Sequence, residues 1–254
     1  MPGRRTVMEN DFAGVARLTG RVALIAGGTG GLGEPVTRAF LGAGATVIVS
    51  SSSERHDLAA RLESESGVPT GRLSALKADA TQEEQVERLV QIVLDRYGRL
   101  DIAVNLIGGW SAGQPVTETP VDTWDTMLNL NLRTAVLIGK YAARPMVRQQ
   151  WGRIIHTSSR AARSGRRNAA AYAVAKNAVV ALTEIQAEEL RDDNVTVNAI
   201  LPSIIDTPAN RHGMPDADFT RWPKADDIAR ILLFLASDDA QLISGAAIPV
   251  YGRA

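Results

Sequence analysis

Arg-Val-Ala-Leu-Ile-Ala-Gly-Gly-Thr-Gly-Gly-Leu-Gly, residues 21–33, settles what kind of chain this is. Arg21 to Ala26 is a short apolar run suited to a buried strand, and it enters glycines at 27, 28, 30, 31 and 33. Beyond them Leu32, Val36, Ala39, Phe40 and Ala43 recur at helical spacing. Strand, glycine turn and helix together form an anion cradle, because the turn brings backbone N–H groups to a helix N-terminus where the dipole favours a pyrophosphate. Pro35 falls in the first helical turn, where its missing N–H does little harm. The stretch therefore predicts a doubly wound α/β fold, a mostly parallel sheet with helices on both faces and a ligand crevice at the C-terminal strand ends.

The alternation continues downstream. Ala45 to Ser50 reads as a second strand, followed by Ser51, Ser52, Ser53, Glu54 and Arg55. Arg72 to Ala78 reads as a third, ending at Asp79, and Asp101 to Asn105 as a fourth, running into Gly108, Gly109 and Trp110. Thr81 and Glu84 have the spacing of a capping box, after which Val86, Leu89, Val90, Val93 and Tyr97 line one face of a helix that Gly98 ends. An amphipathic segment runs from Val121 to about Gln150, and Asn131 within it needs a partner or a task. Arg153 to His156, Asn194 to Leu201 and Ala246 to Tyr251 supply further strands, and Asp226 to Ala236 a last helix. Ala209 to Pro223 lacks periodicity and reads as a lid whose Met214, Phe219 and Trp222 line a pocket.

The chemistry concentrates between Trp151 and Asn177. A strand leads into Ser158 and Ser159, an arginine-rich loop follows, and an alanine-rich helix carries Tyr172 and Lys176 one turn apart on the same face. Bringing a phenol from about 10 to near 7 takes roughly 4 kcal/mol, which one unit charge about 4 Å away supplies at an effective dielectric of about 20. The pair is thus expected to make an acid for neutral pH. Arg160, Arg163, Arg166 and Arg167 in the loop form either a solvated face or an attractor for an anionic substrate.

Composition narrows the classes. The 254 residues carry 28 basic and 28 acidic side chains, so no charge imbalance asks for nucleic acid or a membrane surface. The absence of cysteine removes disulfides, thiol nucleophiles and thiolate metal sites, and fits a cytoplasmic protein. His56, His156 and His212 lack ligand spacing, so no metal is expected. No apolar run reaches membrane-spanning length, and the charged N-terminal residues have no hydrophobic signal core. Residues 1–18 read as a poorly specified tail and 19–254 as one dinucleotide-binding catalytic domain.

The Gly27-x-x-x-Gly31-x-Gly33 turn, with Ser159, Tyr172 and Lys176 at their spacing, resembles the short-chain dehydrogenase/reductase family over nearly the whole chain. The resemblance implies a Rossmann-like fold and hydride transfer between a nicotinamide and a carbonyl or alcohol. It assigns Asn131, Ser159, Tyr172 and Lys176 to catalysis. Cofactor contacts fall on Gly27, Gly31, Leu32, Gly33, Ser51, Ser52, Arg55, Asp79, Asn105, Gly108, Tyr172, Lys176 and Thr207, and substrate contacts on Trp110, Met214 and Trp222. Serine at 51 does not repel a 2′-phosphate and Arg55 can pair with one, so NADP(H) is expected over NAD(H). Ala26, Ser203 and the Leu106-Ile107 pair depart from the family's usual residues. Residues 206–222 (DTPANRHGMPDADFTRW) and the Trp110 loop resemble dihydropteridine reductases, which carry an acid after the second strand and lack the serine. Quinonoid dihydropterin reduction and a non-catalytic dinucleotide sensor are the alternatives. Small-residue packing on the Tyr172 helix and family habit suggest a homotetramer or homodimer.

Overall fold

The computed structural model describes residues 18–54 and 57–254. Seven strands, β1 (Val22–Ala26), β2 (Thr46–Ser51), β3 (Leu73–Lys77), β4 (Ile102–Asn105), β5 (Gly152–Thr157), β6 (Val195–Pro202) and β7 (Ala247–Val250), form one sheet in the order β3-β2-β1-β4-β5-β6-β7. Every pairing is parallel. Alternate residues of these runs feed two cores. Ala23, Ile25, Val47 and Val49 pack with α1 (Gly33–Gly42), α2 (Leu58–Ser66) and α9 (Ala225–Leu235). Val22, Leu24, Ala26 and Ile48 pack with α3 (Glu83–Tyr97) and α5 (Thr134–Gln149). Covered on both faces, β1 is a continuous apolar run and β2 nearly so, rather than alternating. β1 lies between β2 and β4, so the sheet reverses its winding there and opens a crevice at the strand C-termini.

Several expectations need correction. Leu18, assigned to the tail, is buried and its N–H donates to the Ala43 carbonyl at 2.8 Å. The Val121–Gln150 segment divides into α4 (Val121–Leu128), a widened π-type turn (Asn129–Arg133) and α5. The Thr81–Glu84 capping box does not form. The Asp79 carboxylate accepts from both Thr81 N (2.9 Å) and Thr81 Oγ1 (2.7 Å), and Gln82 precedes α3 with no side-chain cap. The lid contains a short helix, α8 (Pro208–Gly213), started by Pro208 and capped by Thr207 Oγ1, which accepts from Asn210 N at 3.3 Å. Among the described residues no helix is long and apolar enough to cross a membrane.

Candidate active site

The first half of the site is made of missing side chains. Gly27 turns at φ +80°, a conformation that favours glycine. A Cβ on Gly33 would sit 2.2 Å from the Gly27 carbonyl oxygen, so α1 can start this close to β1 only with glycine there. The N–H groups of Gly31 and Leu32 meet no backbone acceptor among the described residues, and they stand at the N-terminus of α1. Thr207, at the end of the β6 loop, closes over this turn: a Cβ on Gly31 would lie 3.1 Å from its Cβ. Free amides, a helix dipole and a surface without Cβ atoms fit the pyrophosphate of a dinucleotide.

Ser51 ends β2 with its Oγ accepting from Ser53 N at 3.2 Å, and Ser52 is exposed beside it. A small cavity of about 160 Å³ opens there, bounded by Thr29, Ser51, Ser53, Glu54 and Lys77, with Lys77 Nζ 3.8 Å from Glu54 Oε1. Arg55 lies outside the described residues. Asp79 follows β3 and is half-buried. Asn105 closes β4, buried, and its Oδ1 accepts from Ile107 N at 3.2 Å.

The second half is made of side chains carried by β5, by α7 (Ala170–Glu189), which follows the short α6 (Ala161–Ser164), and by the π-type turn. Lys176 is buried, and its Nζ donates to the Thr157 carbonyl at 2.8 Å. Burial with no paired carboxylate pushes its pKa down to about 8. Asn131, 1% exposed, donates through Nδ2 to the carbonyls of Met127 (3.0 Å) and Gly109 (3.1 Å) and accepts from Gly109 N at 3.1 Å. The widened turn lets it tie the loop after β4 to the helix that follows. Asn131 and Lys176 converge on Gly108, where a Cβ would stand 2.8 Å from Asn131 Oδ1 and 2.9 Å from Lys176 Nζ.

The two adjacent serines separate. Ser158 turns inward and its hydroxyl donates to the Lys176 carbonyl at 2.6 Å. Ser159 faces a cavity of about 620 Å³ together with Tyr172, and its Oγ accepts from Ala161 N at 3.2 Å. Trp110, Arg166, Ile205 and Met214 complete much of the wall.

Two expectations fail here. The Tyr172 phenol is not lowered: burial pushes its pKa up, and the neighbouring Ser159 hydroxyl and Arg166 charge only oppose that rise. Lys176 directs its ammonium to Thr157 instead, so one-turn spacing did not produce a phenol–ammonium contact. Trp222 does not line the cavity; it is buried and tilted against Phe219, ring centroids 4.9 Å apart. The Thr157 carbonyl was missed, since a backbone acceptor leaves no mark in sequence. Ile204, Ile205 and Asn210 also border the cavity, and only their place after β6 hinted at it.

A family model described as enoyl-(acyl carrier protein) reductase matches residues 26–252. The chain belongs to the short-chain dehydrogenase/reductase family. It is 30% identical over 244 residues to the 3-oxoacyl-[acyl-carrier-protein] reductase of Thermotoga maritima, covering 93% of this chain and 98% of the relative. It is 32% identical over 248 residues to the meso-2,3-butanediol dehydrogenase of Serratia marcescens, covering 94% and 96%. Among solved structures, NADP-bound ElxO superposes with a TM-score of 0.84 at 28% identity, covering 91% of this chain and 97% of that one. NAD+-bound xylitol dehydrogenase superposes with a TM-score of 0.82 at 26% identity, covering 92% and 99%. This short-chain dehydrogenase/reductase is accordingly an NAD(P)(H)-dependent oxidoreductase acting between an alcohol and a carbonyl. The pterin and sensor alternatives are not favoured.

Proposed function

We propose that Tyr172 is the acid/base of this oxidoreductase, with Ser159 positioning the substrate oxygen and Lys176 and Asn131 completing the site. The observation that carries the assignment is the shared cavity wall: Tyr172 and Ser159 border the same space. A bound nicotinamide dinucleotide supplies the hydride in reduction and takes it in oxidation. In reduction the Tyr172 hydroxyl gives its proton to the carbonyl oxygen as charge develops there, and Ser159 donates a hydrogen bond to the same oxygen. Lys176, with its pKa at about 8, is mostly cationic at neutral pH and adds positive potential beneath the loop at Gly108. In oxidation the same groups run in reverse, the phenolate accepting the alcohol proton.

Gly27, Gly31, Leu32 and Gly33 would hold the pyrophosphate, Thr207 the nicotinamide end, and Ser51, Ser52, Arg55 and Asp79 the adenosine end. NADP(H) is preferred over NAD(H) in this reading, because Ser51 stands where an acid would repel a 2′-phosphate and Lys77 borders the adjoining cavity. A homo-oligomer in the cytoplasm completes it. The test is turnover of a panel of ketones and secondary alcohols by the full chain with NADPH and NADH in parallel. Turnover that survives Tyr172→Phe overturns the assignment.

A further inference from the structure

The structure sorts the four arginines between Ser159 and Tyr172. Arg163 faces Glu184, Nη2 to Oε1 3.7 Å. Arg160 donates through Nη1 to the Ala254 carbonyl oxygen and lies over the Tyr251 ring. Arg166 and Arg167 are both exposed, and Arg167 stands outside the cavity wall. Arg166 borders the cavity, its Cζ 5.1 Å from the Trp110 ring centroid, and among the described residues neither a carboxylate nor a hydrogen-bond acceptor meets it. The Trp110 ring in turn stands edge-on to Tyr172, centroids 4.6 Å apart. Among the described residues no Asp or Glu side chain borders this cavity, while Arg160 and Ala254, paired with each other, stand on its wall.

We propose that Arg166 determines specificity for an anionic substrate, a ketone or secondary alcohol carrying a carboxylate or phosphate ester, bound with its reacting carbon at Tyr172. The inference rests on the oxidoreductase reading of the same cavity and names its substrate class. A guanidinium presents a planar fork of donors that matches either oxyanion, and the Trp110 face limits where that fork can lie. Ile204, Ile205 and Met214 leave an apolar path between the two ends. Trp110 links the two positions, with the Arg166 Cζ 5.1 Å from its ring centroid and Tyr172 edge-on to it at 4.6 Å. An arginine that merely faces solvent would not discriminate between an acid and its ester.

The experiment measures kcat/KM of the full chain, with NADPH and with NADH, for two matched pairs: levulinate against methyl levulinate, and dihydroxyacetone phosphate against dihydroxyacetone. In at least one pair the anion is preferred about tenfold or more, and Arg166→Gln lowers that anion-to-neutral ratio by about tenfold to a hundredfold, the range of a charge-assisted hydrogen bond. Arg166→Lys restores part of the ratio, and Arg163→Gln shifts it less than about twofold, as for a surface charge. The pair that responds identifies the anion as carboxylate or phosphate. Turnover of the neutral ketones with no anion preference, or a preference that Arg166→Gln leaves intact, overturns this inference alone. If wild-type protein turns over neither anion with either cofactor, this inference falls, while the oxidoreductase reading of the cavity stands or falls on the wider panel of ketones and secondary alcohols.

Discussion

The two halves of the site are made from opposite materials. Around Gly27–Gly33 the protein works by omission, leaving amides uncovered and removing every Cβ that would block a close approach. Around β5 and α7 it works by commitment, burying Lys176, Asn131 and His156 among fixed partners. The first half is sensitive to volume and indifferent to pH, because backbone amides do not titrate near neutrality. The second holds buried titratable groups and is sensitive to protonation. Substitutions on the two sides should therefore fail in different ways.

The largest effect tests the side-chain half. Tyr172→Phe should lower kcat by about 10²–10⁴-fold, the range of a lost general acid, while calorimetry shows dinucleotide Kd within about threefold of wild type. A large loss of binding would mean that the two halves are not separable. Next comes acid. His156 is fully buried, its Nε2 is 3.0 Å from Gln186 Oε1, and burial holds its pKa down at about 4 against 6.5 for an ordinary histidine. The folded pKa is the depressed one, so the unfolded chain takes up a proton first as pH falls. The stability contributed by neutral His156 is present above pH 6.5 and is lost between 6.5 and 4, a fall of about 3 kcal/mol by linkage. Urea unfolding across that window measures it, and a profile with no His156-dependent fall, judged against His156→Asn, contradicts it.

The glycine half should answer to bulk. Gly33→Ala would place a methyl 2.2 Å from the Gly27 carbonyl oxygen, where only backbone movement can relieve the contact. It should destabilise by about 1–3 kcal/mol and weaken dinucleotide binding, equally at pH 6 and pH 8. The thermal midpoint and Kd at both values decide whether this half is as pH-blind as its composition implies. The smallest effect is Ser51→Asp, which should shift the NADPH-to-NADH ratio of kcat/KM toward NADH by about tenfold, since a carboxylate there repels a 2′-phosphate and accepts from ribose hydroxyls. An unmoved ratio would locate cofactor choice elsewhere, with Lys77 the next residue to change.

What could be read in advance follows the same division. The glycine turn is local: strand, turn and helix are contiguous, so spacing alone announces them, whereas the register Val22 to Thr46 through Ala26 to Ser50 is seen only in the folded sheet. Tyr172 and Lys176 were also visible as a one-turn pair. The direction of the lysine was not, because its acceptor is the Thr157 carbonyl, nineteen residues away. The Thr81 hydroxyl was misread for a related reason: two residues upstream, the Asp79 carboxylate competes for it and wins. Trp222 looked like a lid aromatic facing substrate, yet it is buried against Phe219.

By itself the sequence determined the parallel α/β architecture, the cradle of bare glycine backbone and the residue types available for chemistry, all of which depend on periodicity and short spacings along the chain. Only the tertiary structure decided that Lys176 turns to the Thr157 carbonyl, that burial raises the Tyr172 pKa, and that one arginine of four stands over Trp110 with no counter-ion among the described residues. Those outcomes depend on desolvation and on which distant groups compete for each donor and charge, quantities that exist only once the chain has folded.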